Sequence, residues 1–79
     1  MGESFPSLRA RDLERIIEAV CGAPVRQKGS HRQYRSPNGG GTFTFAFHGS
    51  DTVGPHLVRR ILVRDVGLTK DEAKARVGM

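Results

Sequence analysis

Residues 37–48 read Pro37-Asn38-Gly39-Gly40-Gly41-Thr42-Phe43-Thr44-Phe45-Ala46-Phe47-His48. Asparagine and glycine tolerate the backbone angles that tight turns demand, so the first five residues predict a turn. From Thr42 onward aromatic residues alternate with small or polar ones. This period of two puts Phe43, Phe45 and Phe47 on one face of a strand and Thr42, Thr44, Ala46 and His48 on the other. A strand with one apolar side points to an antiparallel sheet covered on a single face, because parallel sheets are buried on both.

Upstream, Val25 to Gln27 and His31 to Ser36 predict two more strands, joined through Lys28-Gly29-Ser30. Before them, Leu13, Ile16, Ile17 and Val20 follow the i, i+3, i+4, i+7 spacing of one helical face. A helix is predicted from Ala10 to Cys21, stopped by Gly22 and Pro24. Downstream of the loop Gly49-Ser50-Asp51-Thr52-Val53, Pro55 suits the first turn of a helix, and Leu57, Val58, Ile61, Leu62 and Val66 supply its apolar stripe as far as Val66. Gly67 ends that helix. Thr69-Lys70-Asp71-Glu72 has the spacing of a capping box and starts a short last helix through Arg76. The predicted fold class is α+β: a three-stranded antiparallel sheet with helices on one face, αβββα plus a short C-terminal helix, in the layout of double-stranded-RNA-binding-like domains.

With 79 residues, the chain is expected to form one domain over 1–79, residues 1–9 being a flexible N-terminal segment. A domain this small buries only about 60% of the surface its unfolded chain exposes, so a stabilising partner is expected. Thirteen Lys and Arg against eight Asp and Glu give a net charge of +5, which favours polyanionic partners. There is no long apolar run, no secretory pattern in Met1-Gly2-Glu3-Ser4, and Pro6 breaks the myristoylation pattern. These features predict a cytoplasmic protein with no membrane partner. The single cysteine, Cys21, cannot form an internal disulfide and is read as a packed thiol. Gly39-Gly40-Gly41 lacks the Gly-Lys-Ser/Thr ending of a phosphate loop and precedes a strand rather than a helix.

Register decides where the chemistry sits. If Tyr34 shares the buried face with the phenylalanines, its cross-strand neighbour is Phe43 or Phe45, and paired residue numbers sum to about 77 or 79. His31 then lies opposite Ala46 or opposite His48, and both imidazoles are expected on the open face among Arg26, Lys28, Arg32 and Arg35. Cleaving a phosphodiester needs a base, an acid and positive charge on the phosphate, and histidine is the natural proton-transfer group near neutral pH. RNA is the expected substrate because its 2′-hydroxyl is an internal nucleophile. His31 and His48 are the candidate catalytic residues. Lys28, Arg32 and Arg35 are the candidate phosphate contacts, and Gly29 and Ser30 join the candidate RNA-binding set as the turn that presents them. His56 is expected to be exposed, and Arg59, Arg60 and Arg64 to form the solvated side of their helix. No ligand spacing suggests a metal or other cofactor. Two other readings use the same residues: a non-catalytic RNA-binding module, and a protein-interaction domain of the same fold.

The stretch Gln27-Lys28-Gly29-Ser30-His31-Arg32-Gln33-Tyr34 resembles the Gly-Ser-His hairpin of the HicA (YcfA-like) mRNA interferase toxins. Val53 through Leu57, Arg60, Ile61, Leu62 and Gly67-Leu68 resemble that family's second-helix segment, so the likeness runs from about Asp12 to Leu68. It implies a double-stranded-RNA-binding-like fold, translation-independent cleavage of mRNA, a functional histidine at the position of His31, and a cognate HicB-like antitoxin; the cleavage itself is expected to be metal-independent. Gly54-Pro55-His56 departs from the Pro-Gly-Thr common in the family, and Met1 to Arg11 have no counterpart in its shortest members.

Overall fold

The computed structural model describes residues 4–79. Helix α1 spans Ala10–Cys21, with Ala10, Leu13 and Ile17 buried along one side. It ends at Gly22, whose φ of +83° suits glycine. Its first residue follows Arg9, which makes no side-chain cap; instead the Ala10 and Arg11 amides donate to the Asp51 and Gly49 carbonyls, at 2.8 and 3.2 Å. A distant loop therefore satisfies amides that a Ser or Asp cap would otherwise take.

Two sheets flank this helix. Strand β1 (Leu8–Arg9) pairs with β5 (Thr52–Val53), while β2 (Arg26–Lys28), β3 (His31–Arg35) and β4 (Thr42–Phe45) form an antiparallel meander. The expected flexible segment over residues 1–9 does not fit residues 5, 8 and 9. Phe5 is buried in the core, and Leu8 and Arg9 are held in β1. Residues 1–3, and with them the expectations for the extreme N-terminus, lie outside the described residues.

The β3–β4 register is Arg32↔Phe45, Gln33↔Thr44, Tyr34↔Phe43 and Arg35↔Thr42, the smaller of the two sums the sequence allows. Tyr34 and Phe45 are fully buried and Phe43 is half-buried against the Tyr34 ring, centroids 5.8 Å apart. Strand β4 stops at Phe45 and does not continue to His48. In this register His48 would face Gly29, which is already in the β2–β3 turn, so β3 offers no ladder partner there. The chain turns instead: the His48 amide donates to Asp51 Oδ2 and the Asp51 amide to the His48 carbonyl, both at 2.9 Å. Phe47 still reaches the core edge, its ring 5.3 Å from Phe45.

Helix α2 (Pro55–Arg60) continues as a π-helical turn, Ile61–Asp65, in which the Val66 amide reaches back five residues to the Ile61 carbonyl at 2.8 Å. Val58, Ile61, Leu62 and Val66 are buried. Leu57, expected in the same stripe, is 39% exposed, since one residue back from Val58 is about 100° of rotation. At the helix end Gly67 has φ +89°. Ser36 Oγ donates to the Val66 carbonyl at 3.0 Å, and Asn38 Nδ2 to the Gly67 carbonyl at 2.8 Å. The β3–β4 loop thus caps α2. Helix α3 (Lys70–Arg76) opens on the predicted capping box, with reciprocal Thr69–Glu72 bonds of 2.8 and 3.1 Å. The result is the α+β architecture expected, with α1 and the core on one side of the meander and the other side open.

Candidate functional site

Strands β2 and β3 meet at a two-residue turn, Gly29-Ser30, closed by the pair Lys28↔His31. Gly29 has φ +60° and Ser30 stays at negative φ. That combination marks a type II′ hairpin turn, whose twist matches the flanking strands and whose first position needs glycine. The turn fixes the register of β2 on β3, and so places the Lys28 and His31 side chains next to each other on one face.

Two residues farther along the ladder stand Arg26, paired with Gln33, and Gln33, paired with Thr44. Arg26, Lys28, His31, Gln33 and Thr44 together line an open pocket of about 220 Å³. The alternation that turns Tyr34 inward turns these residues outward, as Arg35 and Thr42 are turned at the far end of the ladder. Arg26, Lys28, His31 and Arg35 are all exposed, and among the described residues no carboxylate lines the pocket.

Arg32 is on the other face. Its Nε lies 2.8 Å from Glu14 Oε2 of α1, with only 23% and 21% of the two side chains exposed. The expectation that it would join Lys28 and Arg35 gives way to the strand's alternation: a residue adjacent to an outward histidine points inward. Beside it the Tyr34 hydroxyl donates to Glu18 Oε2 at 2.7 Å and approaches Glu14 Oε2 at 3.2 Å. Desolvation, reinforced by the Glu18 hydrogen bond and the charge of the two glutamates, pushes the phenol's pKa well above its ordinary value. Two acids of α1 thus serve the underside of the sheet and leave the cations of the open face unneutralised.

His48 lies beyond β4 in the turn closed by Asp51 and is not part of the lining that His31 shares with Arg26, Lys28, Gln33 and Thr44. His56 is exposed in the first turn of α2, as expected. Gly29 and Ser30 form the turn and are not pocket walls. Cys21 is a half-buried free thiol whose pKa burial raises, the opposite of what activates a nucleophilic cysteine. Gln33 and Thr44 were not singled out from sequence as site residues. Their signal was nonetheless present, because a register sum of 77 sets them opposite each other on the face of His31.

Among the described residues no helix is long and apolar enough to cross a membrane, and no group of three or more His, Cys, Asp or Glu is placed to hold a metal ion. No curated protein and no solved structure was found to match the chain. The family described as the HicA toxin of bacterial toxin–antitoxin systems matches residues 10–68, from the start of α1 to just past the glycine that ends α2. That span contains the hairpin, the pocket and the helix end capped by Ser36 and Asn38. The chain therefore belongs to the HicA toxin family and is a toxin component of a toxin–antitoxin system.

Proposed function

We propose that this toxin is an endoribonuclease that cleaves mRNA on the open face of its sheet, with His31 as the proton-transfer residue, and that an HicB-like antitoxin holds it in check. The observation that carries the reading is the pair Lys28↔His31 beside the type II′ turn, in a pocket with a second cation and, among the described residues, no acid. Family membership supplies the toxin context.

In the reaction the 2′-oxygen of one ribose bonds to the adjacent phosphorus as the P–O5′ bond breaks. A proton leaves the 2′-hydroxyl and another reaches O5′. An imidazole at His31 is suited to either transfer, a contribution of about 10²- to 10⁴-fold in rate. The Lys28 ammonium, its cross-strand neighbour, meets the charge that develops on the phosphate oxygens. This role needs no base contact, so Lys28 and Arg35 act on any sequence.

The test is gel analysis of RNA incubated with purified wild type, His31→Ala and His48→Ala proteins, in buffer with a chelator. His31→Ala should fold normally and lose at least about 10²-fold in rate. His48→Ala should lose far less, as His48 is outside the pocket. An oligomer with a 2′-deoxyribose at the cleaved position should resist cleavage there. Equal cleavage by wild type and His31→Ala would refute the assignment.

A further inference from the structure

The pocket extends one full ladder step past His31, and that step has its own chemistry. Its row, Arg26–Gln33–Thr44, is formed by two direct cross-strand pairs and lies two residues, about 6.8 Å, from the Lys28–His31 row. The two cations both stand on the outer strand β2, while the neutral hydrogen-bonding groups stand on β3 and β4. Among the described residues neither the Gln33 amide nor the Thr44 hydroxyl has a side-chain hydrogen-bond partner, and Arg26 and Lys28 have no ion pair. Arg32, one residue from Gln33, is by contrast paired with Glu14 on the opposite face.

Charge along one edge and neutral donors and acceptors beside it match the cross-section of a single nucleic-acid strand: phosphates on one side, sugars and unpaired bases on the other. We infer that Arg26, Gln33 and Thr44 form a nucleotide subsite next to His31. Arg26 binds the phosphate adjacent to the one at Lys28 and His31, and Gln33 reads the edge of that nucleotide's base. A glutamine carboxamide presents a donor and an acceptor side by side, which a base edge can meet with two hydrogen bonds. Unpaired RNA leaves those edges accessible, whereas the deep groove of an A-form duplex does not. Thr44 supplies a hydroxyl to the same nucleotide. Gln33 is then the residue that sets base preference at this step. The inference rests on the proposed reading that RNA lies on this face, but not on His31 being the catalyst.

Fluorescence anisotropy with short single-stranded 2′-O-methyl oligomers, which lack the nucleophile, measures binding without cleavage. One nucleotide is varied through the four bases, and each affinity is followed against salt. Arg26→Ala should flatten the slope of log affinity on log salt by about 0.7, the share of one phosphate on a single strand. Arg26→Lys should keep the slope, and Arg32→Ala should leave it unchanged. Gln33→Ala should keep the slope while erasing a base preference of about tenfold. Circular dichroism establishes that each variant is folded. A wild-type slope in Arg26→Ala, or a base preference that is absent in wild type or persists in Gln33→Ala, overturns the subsite. Salt-independent binding throughout would refute both the subsite and RNA binding on this face. The expected slopes without any cleavage of ordinary RNA would refute only the role of His31.

Discussion

Replacing Arg32 with alanine separates a stabilising arginine from an RNA-binding one. The guanidinium sits 2.8 Å from Glu14, with roughly a fifth of each side chain exposed to solvent. Exposed pairs contribute about 0.2 to 1 kcal/mol, and removing one partner of a fully buried pair costs about 3 to 5 kcal/mol. The remaining exposure screens this pair and lets water reach the orphaned carboxylate, so about 2 kcal/mol is the appropriate magnitude. For a domain of this size that lowers Tm by about 8 to 16 °C. Urea unfolding followed by circular dichroism reads the change directly, with Glu14→Gln and the double variant closing a thermodynamic cycle. The two substitutions should be coupled by about 1 kcal/mol or more, since they share one contact. Arg32→Ala with stability within about 0.5 kcal/mol of wild type would refute the inward placement, for that is the range of surface substitutions without structural partners.

Two further substitutions probe the network beneath the sheet and the cap on α2. Tyr34 has a raised pKa in the folded chain, so above about pH 10, the unfolded value, the folded state holds more protons than the unfolded one. Stability then falls as pH rises past 10. Tyr34→Phe should show a shallower alkaline decline in urea midpoint, and an identical decline would exclude Tyr34 as its source. Ser36 is 5% exposed and donates to the Val66 carbonyl, so Ser36→Ala should cost about 1 to 2 kcal/mol in urea unfolding. An unchanged midpoint would mean that water replaces the bond without loss.

Features carried by short segments were legible in the sequence. The limits of α1, its stop at Gly22, the Thr69–Glu72 box and the alternation of Phe43 and Phe45 follow from periodicity and turn chemistry within a dozen residues. So does the opposite facing of His31 and Tyr34, three positions apart on one strand. The same alternation already set Arg32 against His31, although its positive charge suggested company with Lys28. Tertiary structure decided the rest. A period of two cannot distinguish registers that differ by two residues, so only the paired strands select Tyr34↔Phe43 and end the ladder before His48. The amides that open α1 bond to carbonyls some forty residues away, and a two-residue strand such as β5 has no pattern to read. Arg32 meets Glu14 because packing brings α1 beneath β3, where a desolvated charge needs a partner. The pocket exists for the same reason: its five walls come from three strands, and side chains distant in sequence become neighbours only once hydrogen bonds between those strands set their register.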